Sequence, residues 1–466
     1  MIVLSDSAQK AVAAVCASAL LLMITAYNPK PDGRLMVTPS VQTVNLATKT
    51  AIAFPLTPEL TETPTNMPSD IASLTTVTST AVTAPSGLIY TSDHALWMTG
   101  ADGQPAQMGT IPEVSSSFRT WLSPDHTMIL YDDWKQCWVV DLADKHTTRI
   151  TEAPLSYVSC QWSLDSQKIY YTDGMDVWAI SVHDVAVKQN LTQTPERFEE
   201  RLLPLQSGRP DVLFFYSRPL DETPDGVGWT GALTAVNTDG TQYRIITDTL
   251  SADLPALSPD GQTLAYIAGY TLYLYRWNAE IQQVDLQIYN SEAREVQFTS
   301  PAWSPDGAQI AGWAEGNLED EPFYGIMVLD HQTNTSRILD PLYHPIFWDS
   351  HPPAPEWSPD GQWLIYWGQD ENAGYLGFHV VSADGQQMHT LAFESDDEKR
   401  CANPWAVGKW AWSPDGQWLA FTRCEGREGT EYIKHGIFLT EIGQWNVFQI
   451  DLPKDAEPVG WIETMP

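Results

Sequence analysis

Basic residues are few in this chain of 466: 25 Lys and Arg stand against 59 Asp and Glu, a formal net charge of −34. So acidic a surface repels phosphate backbones and anionic headgroups, which excludes nucleic acid as a partner and leaves a membrane only through an apolar segment. Cysteine is sparse too, with five residues, four of them beyond residue 85. Catalytic signatures are missing: there is no G-x-S-x-G elbow, no H-E-x-x-H and no phosphate-cradling G-x-x-x-x-G-K. No loop has calcium-binding spacing. No motif calls for a cofactor, and none is expected.

Long apolar runs are limited to one, the 17 uncharged residues from Ala11 to Tyr27. It is short for a membrane span and slightly long for a signal-peptide core. Residues 1–27 are therefore expected to be a signal peptide or an N-terminal membrane anchor. Residues 28–85 follow, in which Thr, Ser and Pro fill 25 of 58 positions and Phe54 is the one aromatic. Such a composition builds no core and reads as a disordered linker. Together they predict an exported protein, at the cell surface, in the periplasm or outside the cell.

What is abundant is tryptophan, with 20 residues, and a recurring pentapeptide. Trp-Ser-Pro-Asp-Gly starts at Trp303, Trp357 and Trp412; Leu-Ser-Pro-Asp-Gly starts at Leu257; looser copies start at Leu122 and Trp162. Recurrence every 40–55 residues or so marks a radial or stacked repeat. Pro presets a turn φ, Asp bonds local backbone and Gly supplies positive φ, so the motif is a tight turn and its Asp structural. Its Trp is a packing anchor between units. Strand-length runs follow each copy, such as Thr263–Ile267, then Thr271–Tyr275, then a more polar run. With the segment ending in Trp, each unit holds four antiparallel strands and no helix, which reads as an all-β propeller.

These Trp-Ser-Pro-Asp-Gly repeats, each followed by an apolar strand, resemble the TolB-like (PD40) propeller repeat across residues 86–466. The Gly-His and Trp-Asp signature of the WD40 class is absent. The resemblance implies a propeller scaffold and leaves its chemistry open. Dipeptidyl-peptidase-type and tricorn-type relatives of the repeat carry hydrolase domains, whose motifs are not seen here.

Counting gives six motif-bearing units and a seventh without the motif around Asp211–Ile246. An eighth is expected from both ends: Trp461 aligns with the motif Trp, and Gly87–Thr91, Ala95–Met98 and Pro105–Met108 supply its other strands. Seven blades is the alternative if Trp461 belongs to a tail. Closure of the ring would remove a free edge.

Alternating strands put the long connections on one face: Asp132-Asp133-Trp134, 220–229, 316–324, 369–375 and 394–405. Loops on a rigid scaffold are where binding resides. Asp132, Trp134, His344, Trp348, Asp349 and His351 are the candidate binding residues. Cys401 and Cys424 fall at connections on that face and are expected to form a disulfide, as suits an oxidising compartment. Cys137 and Cys160 are expected to be packed thiols toward opposite faces.

The resulting expectation is a monomeric, non-enzymatic scaffold for a protein, peptide or glycan. The alternative is a metal-dependent polysaccharide lyase or hydrolase, as in oligogalacturonate-lyase-like propellers. His344, Asp349 and His351 would be its metal ligands.

Overall fold

A computed structural model describes residues 85–462, apart from 112–118, 133–134, 152–157, 207, 221–230, 251–254, 269–270, 277–280, 284–286, 289–293, 319–320, 343–353, 370–375, 392–408, 429–430 and 454. Every regular element among the described residues is a β-strand. They form eight antiparallel sheets of four strands, one of them carrying a fifth.

Blade 1 comprises Arg119–Leu122, Met128–Asp132, Cys137–Asp141 and Thr147–Arg149, from the inner strand outward; blade 2 comprises Cys160–Trp162, Lys168–Thr172, Val177–Ser181 and Lys188–Asn190. Blade 3, which lacks the motif, is Arg197–Leu202, Val212–Pro219, Gly231–Asn237 and Arg244–Leu250. The inner strands of blades 4 to 7 are Ala256–Leu257, Arg294–Trp303, Glu356–Trp357 and Trp410–Trp412. Blade 8 takes Glu457–Trp461 as its inner strand and Leu88–Ser92, Ala95–Thr99 and Pro105–Thr110 as the rest. Leu88 pairs with Trp461 and Ile89 with Gly460, so the two ends share one blade and the count is eight.

The core is divided accordingly. Eight apolar clusters each fill one seam between neighbouring blades; Leu88, Tyr90 and Trp461, for instance, pack on Ala411, Ala420 and Leu439 between blades 8 and 7. Each motif Trp faces the preceding blade. In blades 2, 5 and 6 its indole Nε1 donates to the carbonyl of the residue ahead of the motif there, Trp162 to Trp121, Trp303 to Ala256 and Trp357 to Ala302, and Trp461 of blade 8 donates likewise to Ala411, at 2.9–3.2 Å.

The motif folds as its residues require. The Ser hydroxyl donates to Asp Oδ1 at 2.5–2.7 Å in all six copies, and the Ser Oγ accepts the amide five residues on. Gly261, Gly307, Gly361 and Gly416 sit at φ between +65° and +71°, and His126 and Ser166 of the looser copies adopt +59° in their place. Ser hydroxyl and backbone amide bonds hold the carboxyls of Asp165 and Asp306 below the usual range.

Three expectations are corrected here. Residues 316–324 are not a loop: the second and third strands of blade 5, Gln309–Leu318 and Glu321–Asp330, pair to the end, Leu318 opposite Glu321. Blade 7 does likewise with Trp418–Glu428 and Glu431–Glu441, so Cys424 lies inside a strand rather than at its end. Cys137 and Cys160 are not separate thiols but a disulfide, their Cα atoms 6.5 Å apart. Cys160 begins the inner strand of blade 2 instead of ending it, which brings it to the same face as Cys137.

Candidate functional site

Strand alternation assigns the two faces. The motif turns and the turns between third and fourth strands share one face, and these are short in every blade but blade 3, whose first turn spans 203–211. The opposite face receives the links 133–136, 220–230, 343–355, 370–375 and 392–409, together with the extended hairpins of blades 5 and 7 on either side of blade 6.

Of the sequence candidates on this face, Asp132 is fully buried as the last residue of its strand, in register with Arg119 and Cys137. Trp134, His344, Trp348, Asp349, His351 and Cys401 lie outside the described residues. Among the described residues no group of three His, Cys, Asp or Glu is placed to hold a metal ion.

Three polar clusters that the motif search did not find are built into the seams. The first lies between blades 2 and 3. Glu199 is fully buried; its Oε1 accepts from Thr194 Oγ1 at 2.7 Å and from Tyr243 OH at 3.2 Å, and its Oε2 has no partner. Arg197 Nε donates to Ser217 Oγ beside it. Burial outweighs these bonds and pushes the Glu199 carboxyl up to about 7. Behind it Asp176 gathers Asn190, Thr192 and the Thr194 amide, fixing the link into blade 3.

The second lies between blades 5 and 6, where the Tyr366 hydroxyl donates to buried Asp340 and its ring stacks on His379. Burial and the Asp340 charge raise the Tyr366 phenol well above its ordinary value.

The third is on the inner edge, between blades 6 and 7. Trp357 faces blade 5, so Glu356, one residue earlier, faces blade 7. There the Trp410 Nε1 donates to Glu356 Oε2 at 2.8 Å. Glu356 keeps solvent contact, as an inner strand around a central channel allows, yet protein hems it in. The lost hydration lifts its carboxyl to about 7. Trp412 shares the face of Trp410, and its buried Nε1 has no partner. The Glu356 carbonyl is the acceptor its counterparts in other blades would use.

The sequence carried a signal for this third cluster. The residue ahead of the motif is Trp121, Gln161, Ala256, Ala302 or Ala411 in the other motif-bearing blades, and Glu356 is the one acid there. Trp410 stands where Thr120, Cys160, Pro255, Pro301 and Pro355 do. Glu199 gave no such signal, because blade 3 has no motif to align.

No family model matches the chain, and no curated protein matches it in sequence. Among solved structures the chain is similar to an oligogalacturonate lyase in complex with manganese, at 16% identity and TM-score 0.49, covering 74% of this chain and 95% of that one. TolB from Acinetobacter baumannii follows with 13%, 0.32, 80% and 82%, and a TolB protein from Agrobacterium tumefaciens with 13%, 0.34, 70% and 96%. The chain is a β-propeller with TolB proteins among its structural neighbours, and likenesses of this size bring no activity, substrate or partner to it.

Proposed function

We propose that this chain is an exported, non-enzymatic propeller that binds a protein, peptide or glycan on the face carrying its long connections. The observation that carries the reading is the asymmetry of the two faces. One is closed, outside blade 3, by short turns, those of six blades tied by motif Ser–Asp hydrogen bonds; the other combines the longest links with two extended hairpins. A rigid ring with varied loops on one side supports a binding role, since loops held on a rigid scaffold are where binding residues concentrate. Export is supported by the Cys137–Cys160 disulfide, a bond that persists in oxidising compartments. Cys401 and Cys424 are proposed as a second pair, and residues 1–27 as the signal or anchor.

The test is a binding screen of the full chain against glycan and peptide arrays. Replacing 221–230 and 370–375 by short Gly-Ser links should abolish capture, whereas substitutions of His183 and Asp239 on the motif face should not. Capture lost equally from both sets, or retained without the long links, contradicts the reading. Metal analysis of the same preparation addresses the lyase alternative: stoichiometric metal that disappears with His344→Ala would replace the scaffold reading with an enzymatic one.

A further inference from the structure

The seam between blades 6 and 7 departs from the repeat in three linked ways. In four other seams a motif indole ties its blade to the carbonyl of the preceding inner strand. Here Trp412, 8% exposed, leaves its Nε1 without an acceptor. A second indole, Trp410, bonds the Glu356 carboxylate instead. Glu356 also retains solvent access at a position that is neutral in the other motif-bearing blades. The seam thus offers an open carboxylate oxygen on Glu356 beside an aromatic wall of Trp410, which packs edge-on against Phe378 with ring centroids 5.3 Å apart.

We propose that this seam binds a lysine side chain of a peptide partner, its ammonium on Glu356 against the Trp410 ring. The proposal rests on the binding-scaffold reading and names its ligand class. One fact favours an ammonium over a guanidinium, and others favour a cation of either kind. Trp410 occupies Glu356 Oε2, so Oε1 alone is open, which suits a compact point charge better than a two-pronged fork. The indole adds cation–π attraction. A chain of net charge −34 concentrates cations around it. The neighbouring Lys409 pairs with Glu457 at 2.7 Å. An arriving ammonium would displace a proton from Glu356 near neutral pH.

The experiment is isothermal titration of the full chain with an acetylated, amidated Gly-Gly-Lys-Gly-Gly peptide, its Nε-acetyl-lysine counterpart, and glucosamine. The lysine peptide is expected to bind with proton release at pH 7, read from buffers of different ionisation enthalpy. Nε-acetylation and Glu356→Gln should each weaken binding at least about tenfold, and Glu356→Gln should abolish the proton release. Trp410→Phe should weaken it severalfold, and Asp239→Asn, which removes an equal charge on the other face, should leave it unchanged. Equal affinity for Glu356→Gln and Asp239→Asn, indifference to Nε-acetylation, or binding of glucosamine alone overturns the proposal. A ligand captured on the long-loop face that binds Glu356→Gln as well as wild type refutes the seam assignment alone. Failure of the chain to retain any peptide, protein or glycan refutes the scaffold reading with it.

Discussion

The indole of Trp357 donates to the main-chain carbonyl of Ala302, 55 residues earlier in the chain and one blade away, at 3.0 Å. Trp412 occupies the same motif position but has no such acceptor. One substitution should therefore have two outcomes. Trp357→Phe leaves the Ala302 carbonyl unmatched in a buried seam and should cost about 1–3 kcal/mol beyond its lost packing. Trp412→Phe loses similar packing and no hydrogen bond. Urea unfolding of both variants should show Trp357→Phe the less stable by about 1 kcal/mol or more; equal losses would contradict the staple.

The looser motif copies should be improvable. His126 holds φ +59° where the regular copies have Gly. Its side chain is exposed. His126→Gly should stabilise by about 1 kcal/mol, the penalty of a left-handed L-residue. Ser166→Gly, also at +59°, should gain less, since the Ser166 Oγ accepts the Asp125 amide at 3.1 Å. Thermal melts of the two variants rank them; an equal or greater gain for Ser166→Gly would be contrary.

Stability should fall as pH rises from about 4.5 to about 7. Glu199 titrates near 7 in the fold through burial, above its unfolded value. A raised carboxyl favours folding most when protonated, below the unfolded pKa, and that contribution is lost as pH climbs through the folded one. The motif carboxyls work oppositely: Asp165, Asp260 and Asp306, held low by Ser hydroxyls, lose their contribution as pH drops below about 4. Chemical denaturation across pH 3–8 should show a maximum near 4–5, with a shallower alkaline decline in Glu199→Gln. An unchanged slope in that variant would remove Glu199 from the account.

Reduction should loosen the first seam. The Cys137–Cys160 bond spans 23 residues and is buried between blades 1 and 2. Closing a loop of that size is worth about 3 kcal/mol. Denaturation with and without reductant, in a Cys401→Ser, Cys424→Ser background, should differ by about that amount; no difference would mean the bond is absent in solution.

The architecture was legible because the repeat writes its turn chemistry into five residues. Ser, Pro, Asp and Gly each have one job in the turn, and the Trp marks the seam it fills. The pairing of Trp461 with Leu88 followed from the same alignment. The two elongated hairpins were not legible: Gly316, Asn317 and Pro322 read as loop residues, and only cross-strand pairing keeps them extended. The Cys137–Cys160 bond was missed through a shift of two residues in one short strand, which moves a side chain to the other end of a blade. Glu199 and its hydroxyl partners Thr194, Ser217 and Tyr243 come from three separate segments that only the fold brings together, and the sequence gives no hint of that convergence.

The closing strand offers the most direct test. Among the described residues, Glu457–Trp461 pairs with Leu88–Ser92 alone, and that pairing shuts the ring. Hydrogen exchange of the 457–462 peptide in the native protein reads it without any mutation. The latched ring predicts protection of the same order as in the buried second strand of blade 4, Thr263–Ala268. Exchange of those amides within seconds, as in a free tail, would contradict the eight-bladed closure.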